Sequence, residues 1–224
     1  MPRTARASVG GVCYHVMNRG NAQAAVFHGE QDYAAFVDLI ARACGRLPMR
    51  VLGYCLMPNY FHLVLWPRAD GDLGRWMQWL LTSHVRRYHR LGGGSGHVWQ
   101  GRFKAFPIQK DGHLLAVLRY VERNPLLARL VKRAQQWPWS SLGGGEPDAR
   151  PAFLRVGPVS RPPDWLKLVN QPQTKAEVEA LGQCVSRGTP YGSPRWLKPT
   201  ARRLGLEHTL RPPGRPKKKP DSKK

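Results

Sequence analysis

Two apolar runs separated by two turn-forming residues constrain this chain more than any other feature. "MRVLGYCLM", residues 49–57, and "YFHLVLWP", residues 60–67, meet at Pro58-Asn59. Each run has strand length and is rich in branched and aromatic residues, and Pro-Asn is turn chemistry, so the two read as antiparallel neighbours. The flanking segments supply their partners. "GVCYHVMNRG" reads as a strand with Val12, Tyr14 and Val16 on one side, Cys13, His15 and Met17 on the other, and a stop at Gly20. "EQDYAAFVDLIARACGRL" places Tyr33, Phe36, Val37, Ile40 and Ala41 near helical spacing, with Glu30 and Asp32 complementing the helix N-terminus and Pro48 beyond its end.

A second helix is expected from about Asp72 to Leu91, with Leu73, Trp76, Met77, Leu80 and Val85 as its apolar face and the glycines of "LGGGSGH" as its stop. The strand "RFKAFPIQ" follows. A third helix, "DGHLLAVLRYVERN", starts at Asp111 as N-cap, and Pro125 kinks it or limits its regular part. The order β, α, β, β, α, β, α is that of a ferredoxin-like α+β fold, an antiparallel sheet with helices on one face. Such a fold implies no single function.

Composition narrows the partner. Among 224 residues, 36 Lys and Arg against 14 Asp and Glu give a formal charge of +22, and 20 of the basic residues fall in the first 150. A surface of that sign favours a polyanion, nucleic acid first. The four cysteines, at 13, 44, 55 and 184, form no C-x-x-C pair, so neither a zinc ribbon nor a thioredoxin-type motif is offered, and reduced thiols fit a cytoplasmic protein. The start "MPRTARASVGG" lacks an apolar core and no run approaches membrane-spanning length, so neither secretion nor a membrane is expected.

The chain divides into a core of residues 1–142, a Gly/Pro-rich linker at 143–164, a small helical extension at 165–210 and a basic tail at 211–224, expected to be disordered. In the extension, Thr174 and Glu177 form a capping-box pattern ahead of Val178, Leu181 and Val185, with Gly188 as a stop, and "SPRWLKPTARRLGLEHTL" offers another short helix.

Two pairs of residues carry the chemistry. Positions 60 and 62 of a strand share a face, which puts Tyr60 beside His62 and turns Phe61 the other way. Tyr120 and Asn124 share a helical face in "LRYVERNP". A phenol nucleophile and an amide oxygen can then approach one metal from one direction, a geometry suited to phosphoryl transfer.

At these motifs the sequence resembles the REP-associated tyrosine transposases, relatives of the insertion-sequence single-strand transposases in the HUH nuclease superfamily. The resemblance runs from about Tyr14 to Leu142 through "YHVMNRGN", "YCLMPNYFHLVLWP", "GHVWQGRFKAFPIQ", "RYVERNPLLARLV" and "WPWSSL". It implies an HUH endonuclease fold and a single-tyrosine transesterase acting on single-stranded DNA beside a hairpin. Tyr120 would form a 5′-phosphotyrosine link and free a 3′-hydroxyl, with Mg²⁺ or Mn²⁺ polarising the phosphate. The family's metal site is His-hydrophobic-His plus a polar residue one turn after the tyrosine. His62 and Asn124 carry over, whereas Tyr60 stands in the first histidine's place. A phenol, with a reference pKa of about 10, is a poorer ligand than imidazole, so weakened metal binding and slow or absent cleavage with DNA binding retained are expected. His15 is a candidate substitute ligand.

Asn18, Arg19, Gln100, Arg102, Lys104, Arg119 and Arg123 lie in or beside the family-like motifs and are the candidate DNA contacts, Asn18 and Gln100 toward bases and the others toward the backbone. Trp99 and Phe103 are read as core. "PGRPKKK" resembles an AT-hook core, with Arg215 entering an A·T-rich minor groove and Lys217 and Lys218 on phosphates. The expected protein is a bacterial, nucleoid-associated DNA-mobility enzyme. Its rivals are a DNA-binding protein impaired in cleavage, marked by Tyr60, and an RNA-binding protein.

Overall fold

The computed structural model describes residues 8–92, 94–143 and 150–211. Strands β1 (Cys13–Arg19), β2 (Met49–Met57), β3 (Tyr60–Pro67) and β4 (Lys104–Ile108) form one antiparallel sheet in the order β2-β3-β1-β4. Helices α1 (Glu30–Arg46), α2 (Asp72–Gly92) and α3 (Gly112–Leu127) complete the core in the expected sequence. Asp111 caps α3, its carboxylate accepting from the His113 backbone N–H at 2.9 Å. α3 continues past Pro125 to Leu127.

The helices do not share one face. α1 and α2 cover the side carrying Tyr14, Val16, Phe61, Leu63 and Leu65, with Phe36, Ile40, Trp76 and Met77 fully enclosed between helices and sheet. α3 covers the other side, packing Leu114, Val117, Leu118 and Val121 on Cys13, Leu52, Val64 and Ile108. The reason lies in β3, where both parities are apolar: a strand buried on two faces needs a cover on each. At Gly53 the pairing of β2 with β3 shifts by one residue, a bulge that swaps which parity of β2 faces which helix layer.

Helices α4 (Trp165–Asn170), α5 (Lys175–Arg187) and α6 (Pro194–Arg203) follow. The capping box of Thr174 and Glu177 opens α5, and Gly188, with φ of 74°, ends it. The segments around these helices close both edges of the sheet. On the β2 edge, Arg155 donates its backbone N–H to Val51 O at 2.9 Å. On the β4 edge, Tyr191 N–H donates to Pro107 O at 2.8 Å and its own carbonyl accepts from Gln109 at 2.9 Å. Pro107 thus faces outward from the β1–β4 ladder, where its missing N–H removes no strand-to-strand bond.

One buried carboxylate ties this C-terminal part to α3. Glu122, fully enclosed, accepts from Ser141 Oγ at 2.6 Å and Arg161 Nη2 at 2.6 Å on one oxygen, and from Trp165 Nε1 at 2.7 Å on the other. We predict that Glu122→Ala, which strands the arginine and the indole N–H, costs about 3–5 kcal/mol. That corresponds to a melting temperature lowered by roughly 10 °C. A thermal melt within a degree or two of wild type would refute the coupling.

His84 is enclosed on α2 among Phe27, Phe36 and Trp99, and burial pushes its pKa down to about 4. The unfolded chain therefore binds a proton that the folded one refuses between the ordinary histidine range and pH 4. The cost of keeping His84 neutral is absent above about pH 6.5 and grows as pH falls, to about 3 kcal/mol by pH 4. His84→Phe is expected to flatten that part of the stability profile, as read from denaturant melts at pH 4.5 and 7.5. An unaltered difference between the two would count against it.

Candidate active site and nucleic-acid interface

β3 and α3 assemble the site on the face away from α1 and α2. Period-two alternation turns Tyr60 and His62 toward α3, and one helical turn sets Asn124 above Tyr120. The Tyr120 ring lies 5.7 Å from the His62 ring and 6.4 Å from the His15 ring, both edge-on. The Tyr60 hydroxyl donates to Asn124 Oδ1 at 3.2 Å, while Asn124 Nδ2 donates to Tyr120 O at 2.8 Å. Tyr60, His62, Tyr120 and Asn124 are therefore brought together as the sequence pattern implied.

His15 joins them from the neighbouring strand. Its Nε2 lies 2.8 Å from His62 Nδ1, with no backbone intermediary, and its ring stacks on Phe106. One of the two imidazoles must donate and the other accept, so their tautomers are coupled. Both are enclosed, and burial pushes the His62 pKa down to about 3 and that of His15 well below the usual histidine range. The pair is neutral at physiological pH. Burial also pushes Tyr60 up to about 12 and raises Tyr120, with the Arg19 guanidinium opposing in both cases.

As arranged, this set does not fit a metal ion. The amide oxygen that would coordinate already gives one of its two lone pairs to the Tyr60 hydroxyl. The Tyr60 phenol, which burial holds protonated, is a weaker ligand than an imidazole. Among the described residues, no group of three or more His, Cys, Asp and Glu side chains could hold a metal ion. His15, the other candidate ligand, is hydrogen-bonded to His62.

The candidate DNA contacts separate into two groups. Arg19 reaches over the Tyr60 ring, its guanidinium carbon 5.6 Å from the centroid, at the mouth of the site. Gln100, Arg102 and Lys104 are exposed on the loop and strand beside it. The loop is fastened to β1, with Gln100 N–H donating to Arg19 O at 2.8 Å. Asn18 helps to fasten it: the side chain is buried and donates to Gly101 O at 3.3 Å, which directs it away from a base-reading position. Trp99 and Phe103 are core, as expected.

Arg119 and Arg123 belong to the second group. The first donates to the carbonyls of Gln171 and Pro172 at 2.9 and 3.0 Å, the second to Val169 O at 2.7 Å. Val169 O belongs to the last turn of α4 and the carbonyls of Gln171 and Pro172 follow its end, so the two arginines clamp that end to α3. Arg215, Lys217 and Lys218 lie outside the described residues.

The sequence reading did not single out Glu122, although a signal was present. It sits four residues after Leu118 and one after Val121, on the buried side of α3, where a lone acid requires buried donors. No local pattern identifies Ser141, Arg161 and Trp165 as those donors.

Among the described residues, no helix is long and apolar enough to cross a membrane. A protein of Haemophilus influenzae described as a REP-associated tyrosine transposase is 25% identical over 111 residues, covering 45% of this chain and 63% of the relative. The chain thus spans a little under two thirds of that relative's length. The solved structure of a REP-associated tyrosine transposase bound to a REP hairpin superposes with a TM-score of 0.53 at 18% identity, over 63% of this chain and 82% of that one. A Deinococcus radiodurans protein described as a transposase gives a TM-score of 0.39 at 16% identity, over 55% of this chain and 97% of its own. The superposition at 0.53 establishes a shared α+β fold. The profile of the family described as "Transposase IS200 like" matches residues 8–124, more than half of the 224 residues, and the chain belongs to that family.

Proposed function

We propose that this protein binds a hairpin-bearing single-stranded DNA on the α3 face of its sheet, and that Tyr60 holds strand transfer from Tyr120 in check. The observation that carries the second half is the hydrogen bond from Tyr60 to Asn124 Oδ1. The first half rests on the family, on the fold shared with a transposase whose solved structure holds a REP hairpin, and on the +22 charge.

The reaction available to Tyr120 is a transesterification. Its oxygen attacks phosphorus, the bond to the 3′ oxygen breaks, the enzyme keeps a 5′-phosphotyrosine and the phenolic proton ends on the released 3′-hydroxyl. Around Tyr120 the Arg19 guanidinium favours ionisation, and burial outweighs it. The adjacent histidines are neutral and hydrogen-bonded to each other. Metal dependence is general in the family, and Mg²⁺ or Mn²⁺ suit the phosphate and amide oxygens such a site brings together. Here Tyr60 removes one imidazole and occupies the amide oxygen of Asn124. The bacterial nucleoid is the compartment in which such a DNA-binding protein would act.

Two outcomes follow. Tyr60→His frees Asn124 Oδ1 and restores a second imidazole, so it should raise Mn²⁺-dependent formation of a covalent protein–DNA adduct by on the order of 10-fold or more, a loss of about 1.4 kcal/mol from the barrier. The adduct should vanish when Tyr120→Phe is added. Unchanged adduct formation in Tyr60→His would sink the inhibitory role. Removing residues 211–224 should lower both DNA affinity and its dependence on salt, because that stretch carries seven Lys and Arg. Equal affinity at every salt concentration would exclude a DNA-contacting tail.

A further inference from the structure

On the face of the sheet opposite Tyr120, α1 and α2 lie side by side, and the seam between them is a groove of about 520 Å³. Arg42 and Arg46 of α1 and Arg86, Arg87 and Arg90 of α2 line it, against the single carboxylate of Asp38. Little neutralises them. Arg42 lies 3.7 Å from Asp38 in an exposed pair, and Arg87 lies 3.8 Å from Asp32. Arg46 rests its guanidinium 5.4 Å over the Trp79 ring. Arg86 and Arg90 are exposed and make no hydrogen bond or ion pair with any described residue.

That arrangement works against the fold. Arg42 and Arg46, and likewise Arg86 and Arg90, are like-charge pairs four residues apart on a helix, which destabilise it. Two such pairs facing one seam add repulsion across it. Arg46 covers the Trp79 ring and Arg42 pairs with Asp38, yet the seam keeps a net positive charge that an anion in it would relieve.

The seam also connects to the site. A second groove, of about 720 Å³, runs between α2 and the loop at residues 96–102, and Arg86 lines both. Its other side carries Gln100 and Arg102, on the loop fastened to Arg19 at the mouth of the site. A basic track therefore leads from beside Tyr60, around α2, to the α1–α2 seam.

We propose that the α1–α2 seam holds the sugar-phosphate backbone of a paired DNA stem, with the adjoining unpaired strand passing along the second groove toward Tyr120. This rests on the hairpin-DNA reading above and extends it to the opposite face. Paired DNA is favoured because the seam offers no open stacking platform of the kind single strands use: its one aromatic ring, Trp79, is half-buried and covered by Arg46. Guanidinium groups on two walls recognise phosphates without reading sequence.

The test compares wild-type protein with the quadruple variant Arg42→Gln, Arg46→Gln, Arg87→Gln, Arg90→Gln, whose residues line the seam and not the second groove, and with the corresponding Arg→Lys set. Binding is measured over a salt series to a stem-bearing oligonucleotide and to its single-stranded flank alone, with circular dichroism to verify the fold. The Gln set should lose at least ~10-fold in affinity for the stem-bearing oligonucleotide and make the slope of log affinity against log salt shallower by roughly 3–4, at about 0.9 per lost phosphate contact. The Lys set should retain most of the slope, and binding to the flank alone should be unaltered. An unchanged slope in a folded Gln set would overturn the seam as a stem site, as would an equal loss on stem and flank. Failure of the wild type to bind any of the oligonucleotides would instead remove the hairpin-DNA reading, and this proposal with it.

Discussion

Everything in this structure hangs on the alternation of β3. Phe61, Leu63 and Leu65 face α1 and α2, and Tyr60, His62 and Val64 face α3. Because the side-chain period is two, a slip of one residue would put the histidine into the Phe36–Trp76 core and the phenylalanine beside Tyr120. The apolar residues of one parity fix the register, and the polar residues of the other inherit their positions from it. Chemistry here is a by-product of packing: the hydrophobic face decides where the site residues point.

The same dependence explains what the sequence made legible. The hairpin, the element order and the pairing of Tyr60 with His62 follow from local periodicity, and so does the stacking of Asn124 above Tyr120. The tyrosine standing where the resemblance implies a histidine was readable from a single position. The hydrogen bond from Tyr60 to Asn124 was not, because it joins residues 64 apart in the chain. Nor was the second cover of the sheet: apolar residues at both parities of β3 implied it, but which helix supplies it depends on the crossing of the chain. Arg119 and Arg123 show the limit most clearly. Motif context put them beside DNA, while carbonyls at and just beyond the end of α4 claimed both.

Burial shapes the electrostatics of the site more than charge does. Arg19 is the nearest cation, yet the imidazoles and phenols respond chiefly to their removal from water, the histidines staying neutral and the phenols protonated. The basic residues lie around the site, on the loop beside β1 and on the outer surfaces of α1 and α2. A neutral interior within a cationic surround allows an anionic polymer to be drawn in by the surface without the site itself being charged.

Both edges of the sheet are closed by backbone from the C-terminal part of the chain, at Arg155 on one side and Tyr191 on the other. These are main-chain hydrogen bonds, indifferent to which side chains supply them. The segments beyond α3 thereby act as a terminator for sheet growth. A shortened chain ending after the third helix would not be a smaller version of this protein: it would present two unpaired ladders and the unpartnered carboxylate of Glu122. Its default behaviour would be strand-to-strand association between copies.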